Sequence, residues 1–240
     1  MLSKSQIKVI TRLKQKKYRV QDGIFVAEGI KVINELLDSH LELQHLFTTV
    51  SFGTVLEKEQ LITEAELKKI SFLKTPNKAL ALFKIPQQQA IPTNQFVVTL
   101  DNVRDPGNLG TIIRLCDWFG VEELVCNTET VDCYNPKVIQ ATMGSITRVN
   151  VSYIDLESYL KASNSPVFGA FMDGDNVYNT TLPETGILVL GNEANGISPE
   201  IEALVTNRIA IPRFGALQAT ESLNVATATA ILLSEFKRGK

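Results

Sequence analysis

The chain has 240 residues, 44% hydrophobic and 21% charged, enough to bury a core in one large domain or in a medium domain with a smaller companion. No apolar run approaches the roughly 18 residues needed to cross a membrane, and the formal charge of -2 does not announce a nucleic-acid binder. The three cysteines, Cys116, Cys126 and Cys133, have neither an even count nor metal-site spacing, so reduced thiols in a cytoplasmic protein are expected.

The first residues carry no apolar signal core, and export is not expected. Residues 3–20 are expected as one helix, with Ile7, Ile10 and Leu13 forming an apolar stripe. Around that stripe stand Lys4, Lys8, Arg12, Lys14, Lys16, Lys17 and Arg19, with no acidic residue before Asp22. Such a run is either a solvated helix face or a phosphate-contacting patch, and the residues alone do not decide. A second helical period follows at 30–37, then a strand near 43–48, a helix near 64–70 and the apolar segment ALALFKIP. Residues 1–86 therefore read as a small mixed α/β domain. The glutamine-rich residues 87–94, bracketed by prolines, read as a linker.

From 95 to 240 strands and helices alternate. Strands are expected at 96–100, 122–126, 148–153, 167–171, 187–190 and 208–211, and helices at 108–119, 135–143, 155–162, 198–205 and 222–236. Apolar strands in that alternation argue for a mostly parallel sheet covered on both faces. In such sheets ligands bind beyond the carboxyl ends of strands.

The usual ligand fingerprints are missing. There is no G-x-G-x-x-G after the first strand of this region, no G-x-x-x-x-G-K-[ST] and no G-x-S-x-G. His40 and His45 both lie in the small domain, so a histidine triad or zinc site has no raw material in the large one, and no metal is expected. Three glycine- or asparagine-rich junctions remain: DNVRDPGNLG at 101–110 leading into TIIR, GNEANG at 191–196, and the stretch from Ile211 through RFGALQATE to SLNVA. Singly, each has a structural reading. DPGN is turn chemistry between strand and helix, Arg114 is an arginine on an amphipathic helix, Glu193 sits in a turn, and Ser222 is a helix N-cap with Asn224 assisting.

Together, in order and spacing, LDNVRDPGNLGTIIRLCDWFG, LVLGNEANGIS and IPRFG...ESLNVATATAILLSEF resemble the three motifs of the SpoU/TrmH branch of the SPOUT RNA methyltransferases, and YNPKVIQATMGSITRV is similar to the family's middle segment. The resemblance covers roughly residues 96–236. Residues 1–85, including FVAEGIKVINELL, are similar to a small substrate-recognition domain that many members carry. It implies an α/β fold whose mostly parallel sheet ends in a C-terminal trefoil knot, which periodicity would never suggest. It implies a domain boundary that makes 95–240 the methyltransferase domain. It also implies transfer of a methyl group from S-adenosylmethionine to a ribose 2'-hydroxyl of structured RNA by a homodimer. Ribosomal RNA is the first expectation. The alternatives are transfer RNA or a catalytically silent RNA-binding factor of ribosome assembly, the latter opposed by the intact motifs.

By motif position, Asn108, Arg114, Glu193, Ser222 and Asn224 align with the family's functional set, and Gly191, Ile211 and Leu223 with positions that hold the cofactor. Arg114 is expected to reach the partner subunit's cofactor. The loop before Ser222 is a few residues longer than in compact relatives, and Arg213 replaces an apolar residue. With RNA as the implied substrate, Lys14, Lys16, Lys17 and Arg19 become expected phosphate contacts. Methyl transfer needs the ribose oxygen held in line with the sulfonium. A neutral arginine is costly because its pKa exceeds about 12. The favoured role for Arg114 is therefore a retained positive charge that binds phosphate and stabilises the developing alkoxide, with direct general-base action as the competing version.

Overall fold

The computed structural model describes residues 1–53, 56–215, 217 and 222–238. By internal contacts the chain divides into two compact units, Met1–Gln87 with Asp132–Thr147, and Gln88–Val131 with Arg148–Lys240. Unit 1 is therefore not one stretch of sequence. It takes in a segment from inside the region read above as the large domain.

Unit 1 opens with two helices where spacing predicts one: α1, Lys4–Arg12, and α2, Lys16–Asp22. A capping box starts α1, Ser3 Oγ accepting from the Gln6 N–H at 3.1 Å and Gln6 Oε1 from the Ser3 N–H at 2.8 Å. The break after it has a cause. Arg19 Nη1 donates to the carbonyls of Leu13 at 2.7 Å and Lys14 at 3.0 Å, acceptors that a continuous helix would use for N–H groups four residues on. Gly23, at φ 65°, closes α2 in the left-handed region. There follow β1 (Ile24–Glu28), α3 (Ile30–Leu37), β2 (Leu43–Thr48), β3 (Glu59–Leu61), α4 (Glu64–Ile70) and β4 (Ala79–Lys84). The sheet runs β1-β4-β2-β3, antiparallel except for the β2–β3 pair. Ile10, Leu13, Val26, Phe47, Leu67 and Leu80 pack in its core.

The chain continues through β5 (Phe96–Leu100), α5 (Pro106–Trp118) and β6 (Glu123–Cys126), all in unit 2. Next comes α6 (Pro136–Thr142), which belongs to unit 1 and packs on β1, the Phe25 and Tyr134 rings 4.9 Å apart. Unit 2 is completed by β7 (Asn150–Tyr153), α7 (Leu156–Ala162), β8 (Val167–Asn176), β9 (Gly186–Leu190), α8 (Pro199–Glu202), β10 (Asn207–Ala210) and α9 (Val225–Lys237).

Its six strands run in the order β10-β8-β9-β5-β6-β7 and every pair is parallel. From β5 the chain moves to β6 and β7 on one side, and from β9 it moves to β10 on the other. The neighbours β5 and β9 are thus a topological switch point, where a ligand crevice opens at the carboxyl ends. One face of the sheet meets α7 and α8 through Leu156, Leu160 and Ile201, and on β5 and β8 Phe96 and Phe168 pack around Phe236 of α9. Two expected elements differ: the helix at 198–205 is only α8, and the strand at 167–171 extends to Asn176 through a break in its register with β10.

All three cysteines are buried, and burial pushes the Cys116 thiol up to about 12, which makes it inert. Among the described residues no helix is long and apolar enough to cross a membrane. The charges are divided unevenly. Unit 1 carries fifteen Lys and Arg against ten Asp and Glu, unit 2 nine against sixteen, so a chain of net charge -2 splits into +5 and -7.

Candidate active site

Leu100 and Leu190 are register partners at the ends of β5 and β9, so the loops that follow leave the sheet side by side. Asp101 ties them together. Its Oδ2 accepts from the Ser198 N–H at 2.7 Å, and its Oδ1 from Asn127 Nδ2 at 2.8 Å. Asn192 Nδ2 donates to the Asn102 carbonyl at 2.6 Å. The 191–196 turn is closed by a pair of backbone bonds between Asn192 and Gly196, 2.8 and 2.9 Å. Gly191 is required there: a β-carbon on it would lie 2.1 Å from the Gly196 carbonyl carbon.

Asp105 caps α5, its Oδ1 accepting from the Asn108 N–H at 2.8 Å, with Pro106 at the first helical position. The cap of α9 is Asn224, not Ser222. Asn224 Oδ1 accepts from the N–H groups of Ala226 and Thr227 at 3.0 and 3.2 Å, whereas Ser222 lies before the helix. An asparagine whose oxygen is so engaged has only its amide N–H left, and it donates to Asn108 Oδ1 at 2.9 Å. Asn108 Nδ2 then donates to Glu193 Oε1 at 2.9 Å. A carboxylate only accepts, so both ends of this chain dictate how each amide is turned. Three of the sequence-selected residues, one from each junction, are thereby joined.

Beside them lies a cavity of about 690 Å³, within the range of small-molecule sites. Gly191, Glu193, Ile211, Ser222 and Leu223 line it together with apolar side chains including Leu190, Ile197 and Leu232. The three residues selected for the cofactor all face it. Phe171 and Met172 form another wall, where the β8 register breaks, and the Arg208 guanidinium stacks 3.6 Å from the Phe171 centroid. Arg208 also bonds Asp173 at 2.6 Å and holds its carboxyl below the ordinary range.

Arg114 is not part of this group. It is exposed on α5, and its side chain makes no hydrogen bond or ion pair among the described residues. Lys14, Lys16 and Lys17 are exposed as well. Arg19 corrects the sequence reading: it is 2% exposed, and Asp132 binds its Nη2 and its Nε, the latter at 3.0 Å, while the two carbonyls described above hold Nη1. A guanidinium so enclosed is a structural residue and does not contact phosphate. The expectation of a longer loop before Ser222 falls on residues 216 and 218–221, outside the described residues.

Asp101, Asn127 and Asn192 were missed as organisers of the loops. Asn127 directly follows a parallel strand, and the rule that ligand loops grow from carboxyl ends marks that place. Phe171 and Met172 carry no such signal, because a register break leaves no periodic trace.

Residues 95–234 match the SpoU rRNA Methylase family, and residues 4–81 match the MRM3-like substrate binding domain. The 23S rRNA (guanosine(2553)-2'-O)-methyltransferase RlmP of Bacillus subtilis is 29% identical over 95% of this chain and 94% of its own length. Among solved structures, a TrmH-family protein of Porphyromonas gingivalis superposes with a TM-score of 0.90 at 38% identity over 100% of both chains. The AdoMet-bound rRNA methyltransferase of Sinorhizobium meliloti gives 0.88 at 28% identity, over 99% of this chain and 97% of that one. With a matched segment spanning more than half of its length, and with that segment's three junctions meeting at one cavity, the chain belongs to the SpoU rRNA Methylase family.

Proposed function

We propose that this protein transfers a methyl group from S-adenosylmethionine to a ribose 2'-hydroxyl of ribosomal RNA in the cytoplasm. The observation that carries the reading is the hydrogen-bonded chain Glu193–Asn108–Asn224 beside a largely apolar cavity lined in part by Gly191 and Gly196. The cavity suits the cofactor. Its aliphatic and aromatic walls fit a purine and the carbon chain of a sulfonium, and Gly191 lets the 191–196 turn at its edge close on itself. Gly191, Ile211 and Leu223 would hold it. Ribosomal RNA is favoured over transfer RNA because relatives that match along both units, RlmP and the Sinorhizobium enzyme, are named for ribosomal RNA.

When bound, S-adenosylmethionine supplies an electrophilic methyl group. Glu193 and the two asparagines keep the three loops in register, so that the pocket is preorganised. Ser222, at the cavity wall, is placed to touch substrate or cofactor. Arg114, charged and without a side-chain partner among the described residues, acts across a homodimer, binding RNA phosphate and stabilising the developing alkoxide at the partner's site while the hydroxyl proton leaves to phosphate or water. Thr227, Ala230, Ile231 and Ser234 make a mixed small and apolar stripe on α9 that is exposed or half-buried and open to a second helix, which supports that dimer, and family membership supports a trefoil knot at the C-terminal end. Tritium transfer from labelled cofactor to unmethylated ribosomal and transfer RNA tests the reading, which fails if neither is labelled. Light scattering at micromolar protein tests the dimer, which a monomer mass would sink.

A further inference from the structure

The buried arginine of α2 lies beneath an exposed cluster of lysines in unit 1. Fifteen of the chain's 24 Lys and Arg residues lie in unit 1, and three of the exposed ones, Lys14, Lys16 and Lys17, stand on or beside the turn between α1 and α2. That turn owes its shape to Arg19. Its Nη1 gathers the Leu13 and Lys14 carbonyls, breaking what would be one helix, so Lys14 leaves α1 as Lys16 and Lys17 begin α2. The guanidinium can do this only if its remaining N–H groups and its charge are satisfied inside the protein, and Asp132 supplies both needs through Oδ2. Asp132 is itself anchored: its Oδ1 accepts from the Tyr134 N–H at 3.1 Å, and Tyr134 packs on Phe25 of β1.

We infer that the Asp132–Arg19 pair is a positioning element for RNA binding, setting the turn on which Lys14, Lys16 and Lys17 meet the phosphate backbone, although neither member touches RNA. The inference rests on the proposed RNA substrate. It places one half of a determinant of substrate affinity, Asp132, inside the stretch that matches the methyltransferase family, and the other half, Arg19, in the one that matches the substrate-binding domain. Point charges on long stems bind a backbone well only when their spacing is held, because each contact releases counterions independently but must be in reach at the same time.

The test is a double-mutant comparison on full-length protein with ribosomal RNA. Asp132→Asn is made in the wild type and in the Lys14→Ala/Lys16→Ala/Lys17→Ala triple variant, with KM, kcat, RNA Kd against salt and cofactor Kd measured for each. In the wild-type background the substitution is expected to raise KM and Kd for RNA roughly 3- to 10-fold and to lower the log–log salt slope by about one to two, leaving kcat and cofactor Kd unchanged. In the triple-alanine background it should add nothing further, which a merely structural role would not produce. An equal loss in both backgrounds, or no loss in the first, overturns the inference. Should Asp132→Asn lack a cooperative thermal transition, Asp132→Glu, which keeps the charge but pushes the guanidinium away by one methylene, is put through the same comparison. A wild type that binds RNA but methylates none would sink the proposed activity while leaving the RNA Kd comparison to judge the pair.

Discussion

At Asn108 the direction of two hydrogen bonds is decided by groups that have no choice: a carboxylate that only accepts, and a cap whose oxygen is already taken by two backbone N–H groups. The residue types were legible in the sequence because three motifs named them, but their joining was not, since residues 108, 193 and 224 meet only through the strand order. Arg19 was misread for a related reason: a lysine-rich neighbourhood says nothing about which cation turns inward. Two predictions belong at this scale. Arg114→Ala should lower kcat by about 10²–10³-fold with cofactor affinity unchanged, and Arg114→Lys should keep measurable activity because charge survives while the planar fork is lost. Single-turnover methylation against pH checks this, and a Lys variant that gains activity only toward a lysine pKa would favour proton acceptance. Gly191→Ala should cost about 1–3 kcal/mol through overpacking against Gly196 and abolish cofactor binding, read by thermal melting and calorimetry.

Elements were legible where apolar period and length agreed, as at α3, β2, α4, β5 and β9. They were missed where a tertiary contact overrode the local pattern. The Leu13 and Lys14 carbonyls are claimed by a side chain, and β8 runs past a gap in its own pairing. β1, whose residues IFVAE sit between two glycines, was given no element by the local pattern, yet it buries almost completely and packs against α6. Its last residue carries a testable cost. Glu28 is 5% exposed, and burial raises its carboxyl above the ordinary value of 4.5, partly offset by the Ser71 hydroxyl and by the Phe72 N–H at 2.8 Å. An acid raised on folding holds its proton longer in the native state. Its contribution is therefore favourable below the raised value and is lost as pH climbs through the window between the unfolded and folded pKa. Glu28→Gln should accordingly melt with a Tm that gains on the wild type as pH rises above the ordinary carboxylate value of 4.5 and runs parallel to it below that value. A constant offset at all pH values would show that Glu28 is not titrating there.

For the whole molecule, alternation predicted the parallel sheet, and its switch point predicted where the ligand loops gather. What the linear pattern concealed is that unit 1 draws on Asp132–Thr147. Without that segment Arg19 has no carboxylate, Phe25 no Tyr134, and Glu35 of α3 loses Gly144, where an added β-carbon would lie 2.6 Å from its own. Stranding one buried charge costs roughly 3–5 kcal/mol, a large share of the roughly 5–15 kcal/mol that holds a domain folded. A fragment ending at Gln87 is therefore expected to show no cooperative melting by circular dichroism, and a sharp transition there would mean that the segment is dispensable.

The division of charge into +5 and -7 also changes how the protein meets any charged material in the laboratory. Screening confines electrostatics to about 8 Å at physiological salt, less than the width of either unit, so a surface senses the part it faces rather than the sum. The net value of -2 then predicts weak retention everywhere, and the distribution predicts the opposite. At about 0.1 M salt, where screening still acts over only about 10 Å, a phosphate-bearing resin and a quaternary-ammonium resin should each retain the same preparation, the first through the lysines of unit 1 and the second through the carboxylates of unit 2.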